Sequence, residues 1–260
     1  MPFPYEHYET LAEPLTVYYP AAQHALARWI VQSIEKAGEL LAQLLDQRVP
    51  AWEIILVAPT DWSFTPREDP EEPGYALPYW TNATQPPSIV VPLQLDPIIG
   101  TPTQEKLAFL LYSALTQAFL EDDPRPWPGE SPLWADEWPL QFASLWLLQQ
   151  LDGWLGIVMT DLREQHAEIF EPEPDGKTPV TVRGFDWYED TSAEDYLVFS
   201  LLLEQFAADL LANYSPAILP RFLKLYRNNS SVLLSDDVTA MLANSLGPGG
   251  SEWLENLVYF

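Results

Sequence analysis

Apolar residues in the first half of the chain form short continuous runs separated by one long periodic stretch. Across residues 21–46 they recur every three or four positions, which predicts an amphipathic helix. The runs at 15–19, 52–58 and 88–94 predict strands, and the unbroken run at 52–58 indicates burial on both faces. Pro92 places the strand 88–94 at a sheet edge or close to its own end.

The rest of the chain has helical periodicity interrupted by proline-rich segments. We expect a helix at 104–120 and another at 134–150 that continues through 151–170, with a break at Gly153 or Gly156. Further predicted elements are a short strand near Tyr75–Tyr79, a short strand within 180–188, and helices at 192–212, 215–228, 235–245 and 250–258. The loops 59–87 and 121–132 are long, acidic and rich in proline.

The order of these elements predicts an α+β fold. A small mixed β-sheet with helices would form the first lobe, and the second lobe would be all-helical. We expect one domain over residues 1–260, with sub-lobes of about 1–120 and 121–260. With 47% apolar and 13% aromatic residues, the chain can bury a large core.

Composition excludes several kinds of chemistry. The chain has no cysteine, which rules out disulfides, thiol catalysis and thiolate zinc sites. Its three histidines, His7, His24 and His166, include no pair at i, i+4 spacing, so a histidine-based metal site is not expected.

The net charge of −26, from 38 acidic and 12 basic residues, argues against nucleic acid as a partner. The preferred interpretation of this charge is a well-solvated surface. The second interpretation is attraction to a basic partner or to cations. No window approaches the roughly 18 uninterrupted apolar residues of a membrane span. The first residues lack the basic and apolar regions of a signal peptide, so we expect a cytoplasmic protein, or an extracytoplasmic one if a leader was removed.

Two segments carry a recognisable pattern. Residues 105–121 read EKLAFLLYSALTQAFLE, and residues 132–137 read PLWADE. With the strand, long helix and strand that precede them, they resemble the peptidase-MA, or gluzincin, group of aminopeptidase-like zinc metallopeptidases. In that family the run before AFL reads His-Glu-Leu-Thr-His, whereas here residues 113–117 read Ser-Ala-Leu-Thr-Gln. The resemblance therefore implies a zincin-like fold in a degenerate member without the HExxH motif.

In the family, the two histidines bind zinc and the glutamate between them activates a zinc-bound water. The resemblance places Ser113 and Gln117 at the histidine positions and Ala114 at that of the glutamate. Glu137, after a Pro-x-Trp element, matches the third ligand, and Tyr196 matches a transition-state tyrosine. Neither serine nor glutamine is a usual zinc ligand. We therefore expect no catalytic residue, no metal and no cofactor: a pseudoenzyme.

Three functions stay open. Ser113, Gln117, Glu137 and Tyr196 could line an interlobe cleft that binds a peptide or protein partner, with a peptide added along the strand 88–94. Against this, the groove could be filled by a hydrogen bond between Gln117 and Glu137. A second possibility is a non-zinc hydrolase that uses carboxylates around Glu137. A third is an acidic structural or assembly protein whose long loops recognise its partner.

Other candidate sites have simpler explanations. Asp122, Asp123, Asp136 and Glu137 offer oxygen ligands for Ca²⁺ but lack EF-hand spacing, which favours a solvated acidic surface. Tryptophans at helical spacing favour core packing over a sugar-stacking platform; they are Trp127, Trp134, Trp138, Trp146 and Trp154. Ser113 lacks the G-x-S-x-G turn of a nucleophilic serine.

Overall fold

The computed structural model of the chain describes residues 2–68, 74–173, 176, 178–185 and 191–260. The fold is α+β, with a mixed sheet in the first half. The chain separates into two compact units, Met1–Asp122 and Asp123–Phe260. No helix within the described ranges combines the length and apolar character needed to cross a membrane.

The first unit is built on a five-stranded sheet with the order β1-β2-β3-β5-β4. The strands are β1 (Glu9–Leu11), β2 (Val17–Tyr19), β3 (Glu53–Val57), β4 (Tyr79–Thr81) and β5 (Ser88–Pro92). The inner pairs β2–β3 and β3–β5 are parallel, and the outer pairs β1–β2 and β4–β5 are antiparallel. All five residues of β3 are buried, which confirms the expectation for its continuous apolar run.

Pro92 lies at the end of its strand, which confirms one of the two alternatives predicted for it; the other, an edge position for the strand 88–94, is wrong. β5 is hydrogen-bonded to β3 on one side and to β4 on the other, with Tyr79 opposite Val90 and Thr81 opposite Ser88. Pro92 is tolerated because it is the last residue of β5, beyond the positions that pair with β4. The edge strand on this side of the sheet is therefore β4.

Two long helices pack with the sheet in the first unit, α1 (His24–Leu45) and α2 (Gln104–Asp122). α1 buries one stripe that includes Ile30, Ile34 and Leu41, and it ends at Asp46 in the left-handed conformation (φ 53°). α2 is buried over most of its circumference. On the sheet, Phe3 and Tyr8 pack against a cluster formed by Ile55, Val57 and Val90.

The second unit is helical where it is described. Its helices are α3 (Leu133–Asp152), α4 (Thr160–Gln165), α5 (Ala193–Asn213), α6 (Ile218–Tyr226), α7 (Ser235–Leu246) and α8 (Gly250–Glu255). Trp138 is fully buried on α3, with ring contacts to Phe206 of α5 and Phe222 of α6. Trp134 is also fully buried and Trp146 is nearly so, which confirms core packing for these three tryptophans.

The stretch 151–170 is not one continuing helix. Gly153 adopts a positive φ of 68° and ends α3, as the predicted break allowed. Only α4 and a short 3-10 turn, Ala167–Phe170, follow. Residues 180–185 form bends and turns, so the strand predicted within 180–188 is wrong over this part. Residues 186–188 lie outside the described residues.

We expect Gly250→Ala to destabilise the second unit. A Cβ on this first residue of α8 would lie 2.6 Å from the Ala243 carbonyl oxygen and 2.8 Å from the Leu246 Cβ, both on α7. Overpacking of this kind costs about 1–3 kcal/mol of the free energy of unfolding, measurable by urea denaturation.

The matched control is Gly38→Ala in α1, whose Cβ would meet Trp52 at an ordinary 3.6 Å. That change should leave stability unaltered or raise it by up to about 1 kcal/mol, because alanine favours the helix. Equal effects of the two substitutions would contradict the α7–α8 packing.

Candidate functional site

The partly exposed stripe of α2 carries two of the candidate residues. Leu107, Leu110, Ser113 and Gln117 are half-buried and recur at helical spacing. Ser113 and Gln117 lie one turn apart on the same face, where the two histidines of a zinc motif would lie. Ala114 is buried, with 3% of its surface exposed.

The side chains on this face do not fit a zinc ion. A hydroxyl and a carboxamide replace the nitrogen ligands that zinc prefers, and the alanine methyl group cannot accept a proton. Within the described ranges, no group of three or more His, Cys, Asp or Glu side chains is placed to hold a metal.

A cavity of about 510 Å³ opens at the start of α2 in the first unit. Its lining is mainly apolar and includes Trp29 of α1, Leu93 and Leu95 after β5, and Leu107 of α2. Its volume lies in the range typical of ligand pockets. Of the half-buried stripe of α2, Leu107 lines this cavity, whereas Ser113 and Gln117 do not.

Glu137 and Tyr196 are neighbours in the second unit. Glu137 lies in the second turn of α3, and Tyr196 lies in the first turn of α5, which begins with a capping box between Ser192 and Asp195. The charge of Glu137 acts on the Tyr196 hydroxyl, which is also hydrogen-bonded to Ser200. The structure thus brings together two of the residues selected from the sequence.

The pKa values of this pair reflect their surroundings. Burial raises the pKa of the Glu137 carboxyl to about 7, and the negative charge of Asp136 adds to the shift. Burial also raises the pKa of Tyr196, with a further contribution from Glu137. Tyr196 is therefore a neutral hydroxyl at pH 7, whereas Glu137 is divided between its neutral and ionised forms.

Gln141 belongs to the same site, although the sequence analysis did not select it. It is half-buried one turn after Glu137 on α3, so the two side chains share a helix face. Its Oε1 atom is buried without a hydrogen-bond partner. The i, i+4 spacing from Glu137 was the only signal available in the sequence.

Asp136 serves a different purpose from its neighbour Glu137. Its carboxylate accepts hydrogen bonds from Tyr226 (2.6 Å) and Ser131 (3.0 Å). Burial raises its pKa, and these hydrogen bonds oppose the shift. Because consecutive helical residues point about 100° apart, Asp136 and Glu137 do not form an acid–base pair.

The acidic residues 122–137 are not simply a solvated surface, which corrects the expectation for Asp123 and Asp136. Asp123 is only 7% exposed and accepts two hydrogen bonds from the Arg125 guanidinium. Burial alone would raise the pKa of Asp123, but Arg125 outweighs it and the pKa is lowered. The Arg227 guanidinium is buried and donates hydrogen bonds to the backbone carbonyl oxygens of Asp123 (3.3 Å) and Arg125 (2.7 Å). It also stacks on the ring of Trp127.

The raised pKa of Glu137 predicts a pH dependence of stability. The folded pKa of about 7 exceeds the unfolded value of 4.5, so folding favours the protonated form. The resulting penalty is absent below pH 4.5, grows as the pH rises to 7, and is constant above it. The free energy of unfolding of Glu137→Gln, compared with that of wild type, should therefore increase by about 1–3 kcal/mol as the pH rises from 4 to 8. Urea denaturation at a series of pH values measures this difference.

Glu252→Gln is the control, because Glu252 is exposed on α8 and its substitution removes the same charge. Its stability curve should run parallel to that of wild type. If the Glu137→Gln curve did the same, the carboxylate would be better solvated than its position implies.

No protein-family model and no curated protein matches this sequence. Among solved structures, the chain is similar to Legionella pneumophila aminopeptidase A in complex with aspartic acid, with a TM-score of 0.47 and 13% sequence identity. The similarity covers 96% of this chain and 27% of the aminopeptidase chain, so this chain spans little more than a quarter of that protein's length.

Proposed function

We propose that this chain is a catalytically inactive, zincin-like protein with a binding or regulatory role toward a peptide or protein partner. One observation carries the proposal: Ser113 and Gln117 occupy, on one face of α2, the positions that zinc-binding histidines would take. Ala114 supports it, because no general base is present at the adjacent position. α2 has the length and the partly exposed face expected of an active-site helix, but it lacks the histidines and the glutamate of a zinc motif.

The second unit supports binding rather than a purely structural role. Glu137 is half-buried, and no described residue donates a hydrogen bond to its carboxylate; the Gln141 amide oxygen is also without a donor. Such groups cost free energy in the folded protein. Strongly shifted pKa values, such as that of Glu137, are concentrated at functional sites. The apolar cavity beside Leu107 offers room for partner side chains.

A zinc titration tests the proposed loss of the metal site. Wild-type protein incubated with excess zinc and then desalted should retain almost none, as measured by mass spectrometry. The double variant Ser113→His/Gln117→His should gain zinc affinity, because it restores two nitrogen ligands on one helix face. Stoichiometric zinc in the wild-type protein would overturn the proposal.

A second candidate function is favoured by one observation, the Glu137 pKa of about 7 beside Tyr196. A carboxyl group with this pKa can transfer protons near neutral pH. We infer as the alternative a hydrolase that uses the Glu137 carboxylate as a general base without zinc. Asp136 would take no direct part, because Tyr226 and Ser131 occupy its oxygens.

This alternative predicts hydrolysis that rises as the pH passes through about 7, where Glu137 ionises. Glu137→Gln should lower kcat by at least about 100-fold, the usual contribution of a general base, whereas Glu252→Gln should retain full rate. A panel of carboxylic esters and glycosides provides the assay. Rates equal in wild type and Glu137→Gln would eliminate the hydrolase.

A further inference from the structure

Two adjoining cavities form a groove along the segment that follows β5 in the first unit. The larger cavity, of about 510 Å³, and a second of about 230 Å³ share the lining residues Pro92, Gln94 and Leu95. Each cavity also contains one half-buried tryptophan, Trp29 of α1 in the larger and Trp62 in the smaller. The groove is therefore an elongated surface with an aromatic ring in each of its two depressions.

The lining of the groove is mainly apolar and almost free of charge, although the chain as a whole carries a net charge of −26. Among the described residues, no ionisable side chain lines the larger cavity. The smaller cavity has one, Asp96, whose carboxylate accepts a hydrogen bond from the backbone N–H of Ile98 (3.0 Å). A ligand that fits this surface is therefore neutral and largely apolar.

Two glutamine side chains supply hydrogen-bond donors on this apolar surface. Gln94, after β5, and Gln104, the first residue of α2, are both exposed, so a ligand can reach their amide groups. Within the described part of the chain, neither side-chain amide takes part in a hydrogen bond. The backbone N–H groups of Leu93 and Asp96 are already bonded to carbonyl oxygens of the first unit. The groove therefore offers side-chain donors rather than a free strand edge.

We propose that this groove binds a proline-rich peptide segment in the polyproline II conformation. This inference rests on the proposed binding function and names the chemistry of the partner. A polyproline II helix has no internal hydrogen bonds, so its carbonyl oxygens are free to accept from the amides of Gln94 and Gln104. An α-helical partner uses its own carbonyl oxygens internally and could not accept these hydrogen bonds along its length.

The shape of the groove also matches such a segment. A polyproline II helix has three residues per turn, so apolar side chains at every third position lie along one edge. Successive side chains on that edge would occupy the cavities at Trp29 and Trp62. Grooves lined by aromatic rings suit these ligands, because the peptide is already extended and loses little conformational entropy on binding.

The test uses an acetylated and amidated peptide of three Pro-Pro-Leu repeats, which carries no charge. Chemical-shift changes in ¹⁵N-labelled full-length protein give Kd, and wild type should show the largest changes at the side-chain N–H groups of Trp29, Trp62, Gln94 and Gln104. Gln104→Glu should weaken binding about fivefold, because it replaces a hydrogen-bond donor by an acceptor of the same size. A glutamate is favourable in the first turn of α2, so folding should be retained.

Two controls identify what is recognised. Gln150→Glu makes the same change at an exposed position of α3 and should leave Kd within about twofold of wild type. The mirror-image peptide of D-amino acids has the same composition but the opposite helical hand, and it should bind about tenfold more weakly.

Three outcomes would each overturn the groove: no binding to wild type, equal binding of the mirror-image peptide, or an unchanged Kd in Gln104→Glu. Equal binding of the two peptides would indicate a general affinity for apolar molecules. Failure here with a zinc-free wild-type protein would leave the proposed function intact, whereas stoichiometric zinc would overturn that function first.

Discussion

The packing of α3 against its helical neighbours is the constraint on which the candidate site depends. Trp134 and Trp138, one turn apart, are both fully buried, and Trp138 contacts aromatic rings of α5 and α6. Fixing this face in the core determines the rotation of the whole helix. Glu137 and Gln141 then lie on the adjacent face, where they are partly exposed. The same packing brings α5, and with it Tyr196, beside Glu137.

The two carboxylates in the first turns of α3 show how position decides the role of a residue. Asp136 accepts hydrogen bonds from Tyr226 and Ser131, which oppose the rise in its pKa that burial causes. Glu137, one residue later, points about 100° away and finds no such donors among the described side chains. The two carboxylates therefore differ in their hydrogen bonds although they are adjacent in sequence.

Local patterns predicted most of the fold because they are set by neighbouring residues. The stripe of α1 and the continuous apolar run of β3 identified their elements directly. β1 was missed because Glu9, Thr10 and Leu11 form a short, largely exposed strand without an apolar run. The edge position predicted as one alternative for β5 was wrong because β4 pairs with its other side. The residues of β4 lie within a segment that the sequence predicted to be a long loop.

The candidate site was predictable only in part. The sequence selected Glu137 and Tyr196, but their proximity depends on the packing of helices that are about 60 residues apart along the chain. The contacts of Asp136 with Tyr226 and of Asp123 with Arg227 could not be predicted for the same reason. Tyr226 is the last residue of α6 and Arg227 follows it, so both are distant in sequence from their partners. The unpartnered Oε1 atom of Gln141 could not be predicted, because residue spacing does not show which hydrogen bonds are made.

The buried guanidinium of Arg227 has a kinetic consequence if the chain binds a basic partner. It donates hydrogen bonds to the backbone of the acidic segment at Asp123 and Arg125 and stacks on Trp127, so the segment is held in place by a buried cation. Such a segment would lose little conformational entropy when a partner docked on it. Encounter with a basic surface would then be limited by diffusion and steering rather than by folding of the segment, and its rate would fall steeply with ionic strength.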